Sequence, residues 1–162
     1  MPQDRPPQTA AWIALDRVHS LMSRQLQNRM TEYDVTRPQY SVLRLLLESG
    51  PQTANALSSS MGVTPGNLTG VIDRLEAGGY LARQRDPSDR RCIHLSLTPA
   101  GEHKAREIIP GIRGTVAGFF AALDPRQLTD FLSSLQALEA ALDTEDGQDT
   151  PSRQQTPEVA AS

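Results

Sequence analysis

The sequence predicts a mostly α-helical fold interrupted once by a two-stranded β-hairpin. Three observations predict it. Aromatic residues make up only 4% of the chain, so the core must be built from Leu, Ile, Val and Ala, which favours helices over a sandwich or barrel. Apolar residues recur at steps of three and four along most of the sequence. A single stretch, Cys92 to Leu97, alternates strictly instead, and turn-forming residues precede it. A length of 162 residues suits one domain with one core.

The first helix is expected over about Ala10 to Glu32, where Trp12, Leu15, Val18, Leu21, Met22, Leu26 and Met30 keep helical spacing. Thr36 followed by Pro38 starts a second helix. Leu43, Leu46 and Leu47 give it an apolar face, and Gly50-Pro51 ends it. Thr53 caps a short helix that Gly62 breaks. Thr64 caps the next, with Pro65 at the first position, where a missing N–H is harmless. That helix carries Leu68, Val71, Ile72 and Leu75 on one face and stops at Gly78-Gly79. Tyr80 to Arg83 reads as one strand and Cys92 to Leu97 as the other, joined through the turn residues Asp86-Pro87-Ser88-Asp89. One hairpin is marginal alone, so it must pack on helices. Thr98-Pro99 opens a long helix, in which Pro110-Gly111 predicts a kink. Asp124-Pro125 starts the last helix, with Leu128, Phe131, Leu132, Leu135, Leu138 and Leu142 on one face.

The ends differ in composition. Residues 1–8 and 143–162 are rich in Pro, Gln, Asp, Thr and Ser and poor in large apolar residues, and are expected to be disordered. The net charge is -3, which by itself argues against nucleic-acid binding. The distribution reverses that argument. The acidic tail from Asp143 holds five acids and one base, so the rest of the chain sums to +1, and Arg83, Arg85, Arg90 and Arg91 crowd one short stretch. A single cysteine, Cys92, excludes an intrachain disulfide. The polar, proline-rich N-terminus is no signal peptide, and no apolar run approaches a membrane span, so a cytoplasmic location is expected.

Thr53 to Gly78 has helix-turn-helix form, with Met61-Gly62-Val63 as the turn. The outer face of its second helix holds Thr64, Pro65, Gly66, Asn67, Thr69, Gly70, Asp73 and Arg74. Small polar side chains near a helix N-terminus suit close approach to phosphates and base edges. Asn67 can pair with adenine, and Thr69 can touch bases or a thymine methyl. The hairpin beside this pair has the form of a wing, whose candidate DNA contacts are Arg83, Arg85, Arg90 and Arg91. The bland alternatives are a solvated helix face and a solvated charged turn.

The run Thr64-Pro65-Gly66-Asn67-Leu68-Thr69-Gly70-Val71-Ile72-Asp73-Arg74-Leu75-Glu76 resembles the MarR (multiple antibiotic resistance regulator) family. So do Gly79-Tyr80-Leu81, Asp86-Pro87-Ser88-Asp89-Arg90-Arg91, Leu95-Ser96-Leu97-Thr98-Pro99-Ala100-Gly101 and Pro38-Gln39-Tyr40-x-Val42-Leu43. The resemblance spans about Trp12 to Leu142. It implies a winged helix-turn-helix over 36–98 and a helical dimerisation region over 9–35 and 99–142. It implies a homodimer that binds a pseudo-palindromic DNA operator as a ligand-responsive repressor. Arg91 then stands at the wing tip, with Asp89 supporting the loop. Small aromatic effectors are implied too, with Trp12, His19 and Tyr40 as candidate contacts and Trp12 alternatively a dimer anchor.

Two further function classes are weighed against this reading. A winged-helix protein–protein interaction module without DNA binding is opposed by the basic wing. A small metal-dependent enzyme is opposed by the sparse ligands: Cys92, His94 and His103 give no clear zinc set. No nucleophile–base arrangement or phosphate loop appears. No cofactor and no catalytic residue is expected. Cys92 reads as a small strand residue, since the family's peroxide sensors carry their cysteine in the first helix, where this chain has none. Asp73-Arg74 reads as a surface ion pair or supporting contact.

Overall fold

The computed structural model describes residues 6–85 and 92–146. Its elements run α1 (Pro7–Glu32), α2 (Arg37–Ser49), β1 (Gln52–Thr53), α3 (Ala54–Met61), α4 (Pro65–Ala77), β2 (Leu81–Arg85), β3 (Ile93–Leu97), α5 (Pro99–Phe119) and α6 (Pro125–Asp146). The chain divides into two compact units, Met1–Phe119 and Phe120–Ser162.

Within the first unit, local chemistry sets the helix boundaries. Thr36 accepts from the Gln39 backbone N–H while the Gln39 side chain accepts from the Thr36 N–H at 2.8 Å, a reciprocal cap for α2. Thr53 accepts from Ala56 N–H at 3.2 Å and so starts α3. Gly62 ends α3 in the left-handed region at φ 63°, a conformation glycine adopts without a Cβ clash. α4 stops at Gly78, and Gly79, at φ 75°, turns the chain into β2.

One core joins these elements. It holds Val42, Leu43 and Leu46 of α2, Leu57 of α3, and Leu68, Ile72 and Leu75 of α4. Leu81 and Leu95 enter from the sheet, and Ala105, Ile108, Ile109 and Ile112 from α5. Met30 closes it from the end of α1. Each large side chain fully buried here is worth about 1.5–3 kcal/mol. This core crosses both expected limits of the DNA-binding region, since α5 and the end of α1 pack into it.

Four expectations change in detail. The sheet has three strands, not two, because the short β1 pairs antiparallel with β3, Gln52 against Leu95 and Thr53 against His94. Thr53 is therefore both a strand residue and a helix cap. α1 begins at Pro7 rather than beyond residue 8, since proline is pre-set for the first helical position. α6 continues to Asp146, so four residues assigned to the tail are helical; the strong helix formers Ala140, Ala141 and Leu142 carry it through. In β3, Ile93 is exposed although Leu95 on the same face is buried.

α5 is one helix with Pro110 inside it, and its two constrained glycines have a packing role. A Cβ on Gly101 would lie 1.9 Å from the Tyr80 carbonyl oxygen. One on Gly111 would lie 2.0 Å from the Tyr33 hydroxyl. Thr98 completes the first junction: its hydroxyl donates to Gly79 O at 2.6 Å and accepts from Gly101 N–H at 3.0 Å, and its own N–H donates to Tyr80 O at 3.1 Å.

In the second unit, Asp124 and Gln127 cap the start of α6 reciprocally, each bond 2.9 Å long. Phe120 and Phe131 pack with tilted rings, their centroids 6.4 Å apart. Leu128, Phe131, Leu132, Leu138 and Leu142 remain exposed.

The Gly101 contact generates a stability prediction. Backbone cannot swing aside as a side chain can, so Gly101→Ala forces the α5–Tyr80 junction apart. The expected loss is about 1–3 kcal/mol, as for other overpacked sites. Urea denaturation of the purified variant checks it.

Candidate nucleic-acid interface

The second helix of the pair, α4, has two clean faces. Leu68, Ile72 and Leu75 are buried, whereas Thr64, Pro65, Gly66, Asn67, Thr69, Gly70, Asp73 and Arg74 are all exposed. The structure thus brings every α4 residue singled out from the sequence onto one open surface. Its N-terminus differs from those of α2, α3, α5 and α6. Thr64 occupies the cap position, but its side chain makes no capping hydrogen bond, contrary to the sequence expectation. The first-turn N–H groups are therefore left without a side-chain acceptor, at the positive end of the helix dipole. Thr69 donates its hydroxyl hydrogen to Pro65 O at 3.1 Å, so it offers a partner only acceptor lone pairs and a methyl group.

Gly66 and Gly70 carry the sharpest information. Neither has positive φ, and a Cβ at either would meet nothing within 4 Å. The fold itself has no need of glycine there, yet each glycine costs about 0.5–1 kcal/mol of helix stability relative to alanine. Together they keep one side of α4 free of side-chain bulk next to Asn67.

The sheet is held against this helix by charge. Arg83 of β2 donates to Asp73 at 2.6 Å and to Glu76, both on α4. These contacts push the arginine's pKa further up, the hydrogen bond to Asp73 foremost. Asp73 is thus paired with Arg83 and not with Arg74, which corrects the expected surface pair. It also makes Arg83 a tether between wing base and helix. Arg85, at the end of β2, is exposed. Asp89, Arg90 and Arg91, with the turn residues 86–88, lie outside the described residues.

The three candidate effector contacts do not converge on a cavity. Trp12 is 67% exposed on α1. His19 is exposed two turns further along the same helix, 3.3 Å from the Ser23 hydroxyl. Tyr40 is half-buried on α2, where burial pushes its phenol pKa up against the pull of Arg44 and Arg113. None of them lines the groove of about 510 Å³ that Val18, Leu21, Met22, Gln25, Thr115, Gly118 and Phe119 form between α1 and α5. Cys92 and His94 do meet, Sγ to Nε2 at 3.6 Å. Among the described residues no group of three or more His, Cys, Asp or Glu side chains is placed to hold a metal ion. No helix among them is long and apolar enough to cross a membrane.

The roles of Thr98, Gly101 and Arg83 in fixing this surface were missed from the sequence. The only available signals were Gly101 three residues after Thr98, and two acids on α4 spaced to face one arginine.

The family model described as MarR matches residues 35–93, which covers α2 through the start of β3. Over those residues the chain is similar to the MarR family. The Bacillus subtilis HTH-type transcriptional regulator YkoM is 35% identical over 94 residues, 58% of this chain and 61% of that protein. The B. subtilis HTH-type transcriptional repressor MdtR is 27% identical over 136 residues, 84% of this chain and 88% of the repressor. The chain thus spans less than two thirds of YkoM and most of MdtR. Among solved structures, the MarR-family regulator AbsC of Streptomyces coelicolor superposes with a TM-score of 0.78 at 24% identity, over 89% of this chain and 99% of AbsC. Bordetella bronchiseptica BpsR, described as regulated in DNA binding by 6-hydroxynicotinic acid, gives 0.69 at 25% identity, over 78% and 90%. The mostly helical winged-helix fold is the MarR fold, and the relatives are transcriptional regulators.

The open glycine face separates folding from function. Gly66→Ala and Gly70→Ala are each expected to raise stability by about 0.5–1 kcal/mol, as alanine does in a helix interior. DNA affinity is expected to fall in the same proteins. Thermal melts paired with DNA shift assays check both signs; a loss of stability instead would mean the glycines serve the fold.

Proposed function

We propose that this chain is a MarR-family transcriptional regulator, a homodimeric repressor that reads a pseudo-palindromic operator through α4. The observation that carries the reading is the open face of α4: an uncapped N-terminus, two glycines facing empty space, and Asn67 between them. Backbone N–H groups at such a terminus suit phosphate oxygens, and Asn67 suits the paired donor and acceptor of adenine. Thr64, Pro65, Thr69 and Arg74 complete the helix contribution. Arg85, Arg90 and Arg91, with Asp89 as loop support, are the proposed wing contribution, entering the minor groove. Arg83 stays among the wing candidates as the residue that holds the wing base. Repression is supported by MdtR, and operation in the cytoplasm follows from the DNA target.

Dimerisation is supported by the apolar surface the chain leaves open. Trp12, Leu15, Val18 and Leu21 are exposed on α1, and five large apolar residues are exposed on α6. Exposed apolar helix faces of this kind mark interaction sites. Trp12 is assigned to that surface. A small aromatic acid is the proposed effector, supported by BpsR, with His19 and Tyr40 as its candidate contacts.

Two measurements test this. Light scattering at micromolar concentration is expected to give about twice the 17.7 kDa chain mass; a monomer would remove the two-fold operator. A DNA shift assay on the sequence upstream of the protein's own gene tests recognition. Arg91→Ala is expected to lose about 1–3 kcal/mol of specific binding with a shallower salt dependence. Asn67→Ala is expected to relax base preference at defined positions and keep most of the salt slope. Unchanged binding by both variants would overturn the assignment of helix and wing.

A further inference from the structure

We infer that the groove between the first turn of α2 and the end of α3 seats a phosphodiester of the DNA backbone beside the recognition helix. The inference rests on the DNA-binding reading above. The groove measures about 430 Å³, and its polar lining is Arg37, Ser41 and Arg44 from α2 with Ser60 from α3. Pro38 and Leu45 of α2 form the apolar remainder with Met61 and Val63 on the turn side. No carboxylate lines it.

The charge balance there is positive. Arg44 pairs with Glu48 at 2.6 Å, but the same carboxylate also accepts from Arg113 at 2.7 Å. One anion faces two guanidiniums, so that cluster keeps a net positive charge. Arg37 is exposed and makes no ion pair among the described residues. Two hydroxyls and two guanidiniums around one opening are donors matched to the oxygens of a phosphate.

Placement selects the occupant. Val63 directly precedes Thr64, the residue at which α4 begins, so the groove borders the end of the helix that enters DNA. Contacts to phosphates flank base-reading elements and fix their register on the duplex. The groove is also open: Arg37, Pro38, Ser60 and Val63 are all exposed. A small-molecule site encloses most of its ligand, whereas a continuous backbone needs a channel open along its path. The apolar turn-side wall suits the adjoining sugar. A seated phosphate would hold α4 from the opposite side to the wing.

Arg37→Ala, Arg37→Lys and Ser60→Asp are titrated with two duplexes, the upstream sequence of the gene and an unrelated duplex, across a salt series. Arg37→Ala is expected to weaken both by the same factor and to make the log–log salt slope shallower by about 0.9, the value for one phosphate contact. On that slope the advantage of the wild type shrinks about threefold between roughly 50 and roughly 200 mM salt. Arg37→Lys keeps the slope, and Ser60→Asp weakens both duplexes with an unchanged thermal midpoint. Wild-type affinity and slope in Arg37→Ala would overturn the inference, as would a loss confined to the upstream sequence. A wild type that binds neither duplex removes the DNA-binding reading and this inference with it; a wild type that binds, matched by all three variants, removes this inference alone.

Discussion

The position of the candidate DNA-binding elements depends on one backbone contact, where α5 starts against the Tyr80 carbonyl. Gly101 permits the approach, and Thr98 binds Gly79 and Tyr80 through both its hydroxyl and its N–H. Those few residues join the end of α4, the start of β2, the end of β3 and the first turn of α5. A winged helix must present its helix and its wing at a fixed spacing, because the grooves they enter are fixed by the duplex. Apolar packing alone is non-directional and leaves such a spacing loose. A carbonyl with one allowed neighbour does not.

Charge adds a second restraint on the same pair of elements. Arg83 reaches from β2 to two carboxylates on α4, one turn apart. Exposed pairs of this kind contribute little to global stability, about 0–1 kcal/mol each. Their effect here is local, since they oppose separation of sheet and helix at the surface while the Leu75, Leu81 and Leu95 contacts oppose it in the core. The first turns of the outer face of α4 are left without equivalent restraints: no side-chain cap, and no side chain on Gly66 or Gly70.

Much of this was legible in the sequence because it is local. The Thr36–Gln39 cap lies three residues apart, and the α4 faces follow from helical spacing of Leu68, Ile72 and Leu75. The strict alternation of β3 announced the strand. What was not legible depends on distance in space. β1 is two residues long and too short to show a period, so its pairing with β3 emerges only when α3 is folded back. The partner of Asp73 looked like its neighbour Arg74, whereas the fold brings Arg83 closer. Trp12, His19 and Tyr40 share chemical character, but no cavity gathers them, because Trp12 and His19 ride on the exposed stretch of α1.

The two crowded glycines of α5 act as an index along its axis. Gly101 and Gly111 are ten residues apart, and a Cβ at either would collide with the tyrosine packed against it. A residue inserted between them would rotate the downstream helix by about 100° and lengthen it by about 1.5 Å. That would turn a side chain onto Tyr33, whose hydroxyl is held by Arg29 at 3.0 Å. The Tyr33 end tolerates some error, since a side chain can swing; the Tyr80 end does not. α5 is therefore a part of fixed length. Chains sharing this fold are free to vary in what surrounds the helix, but the interval between its two notches is set by the molecule's own frame.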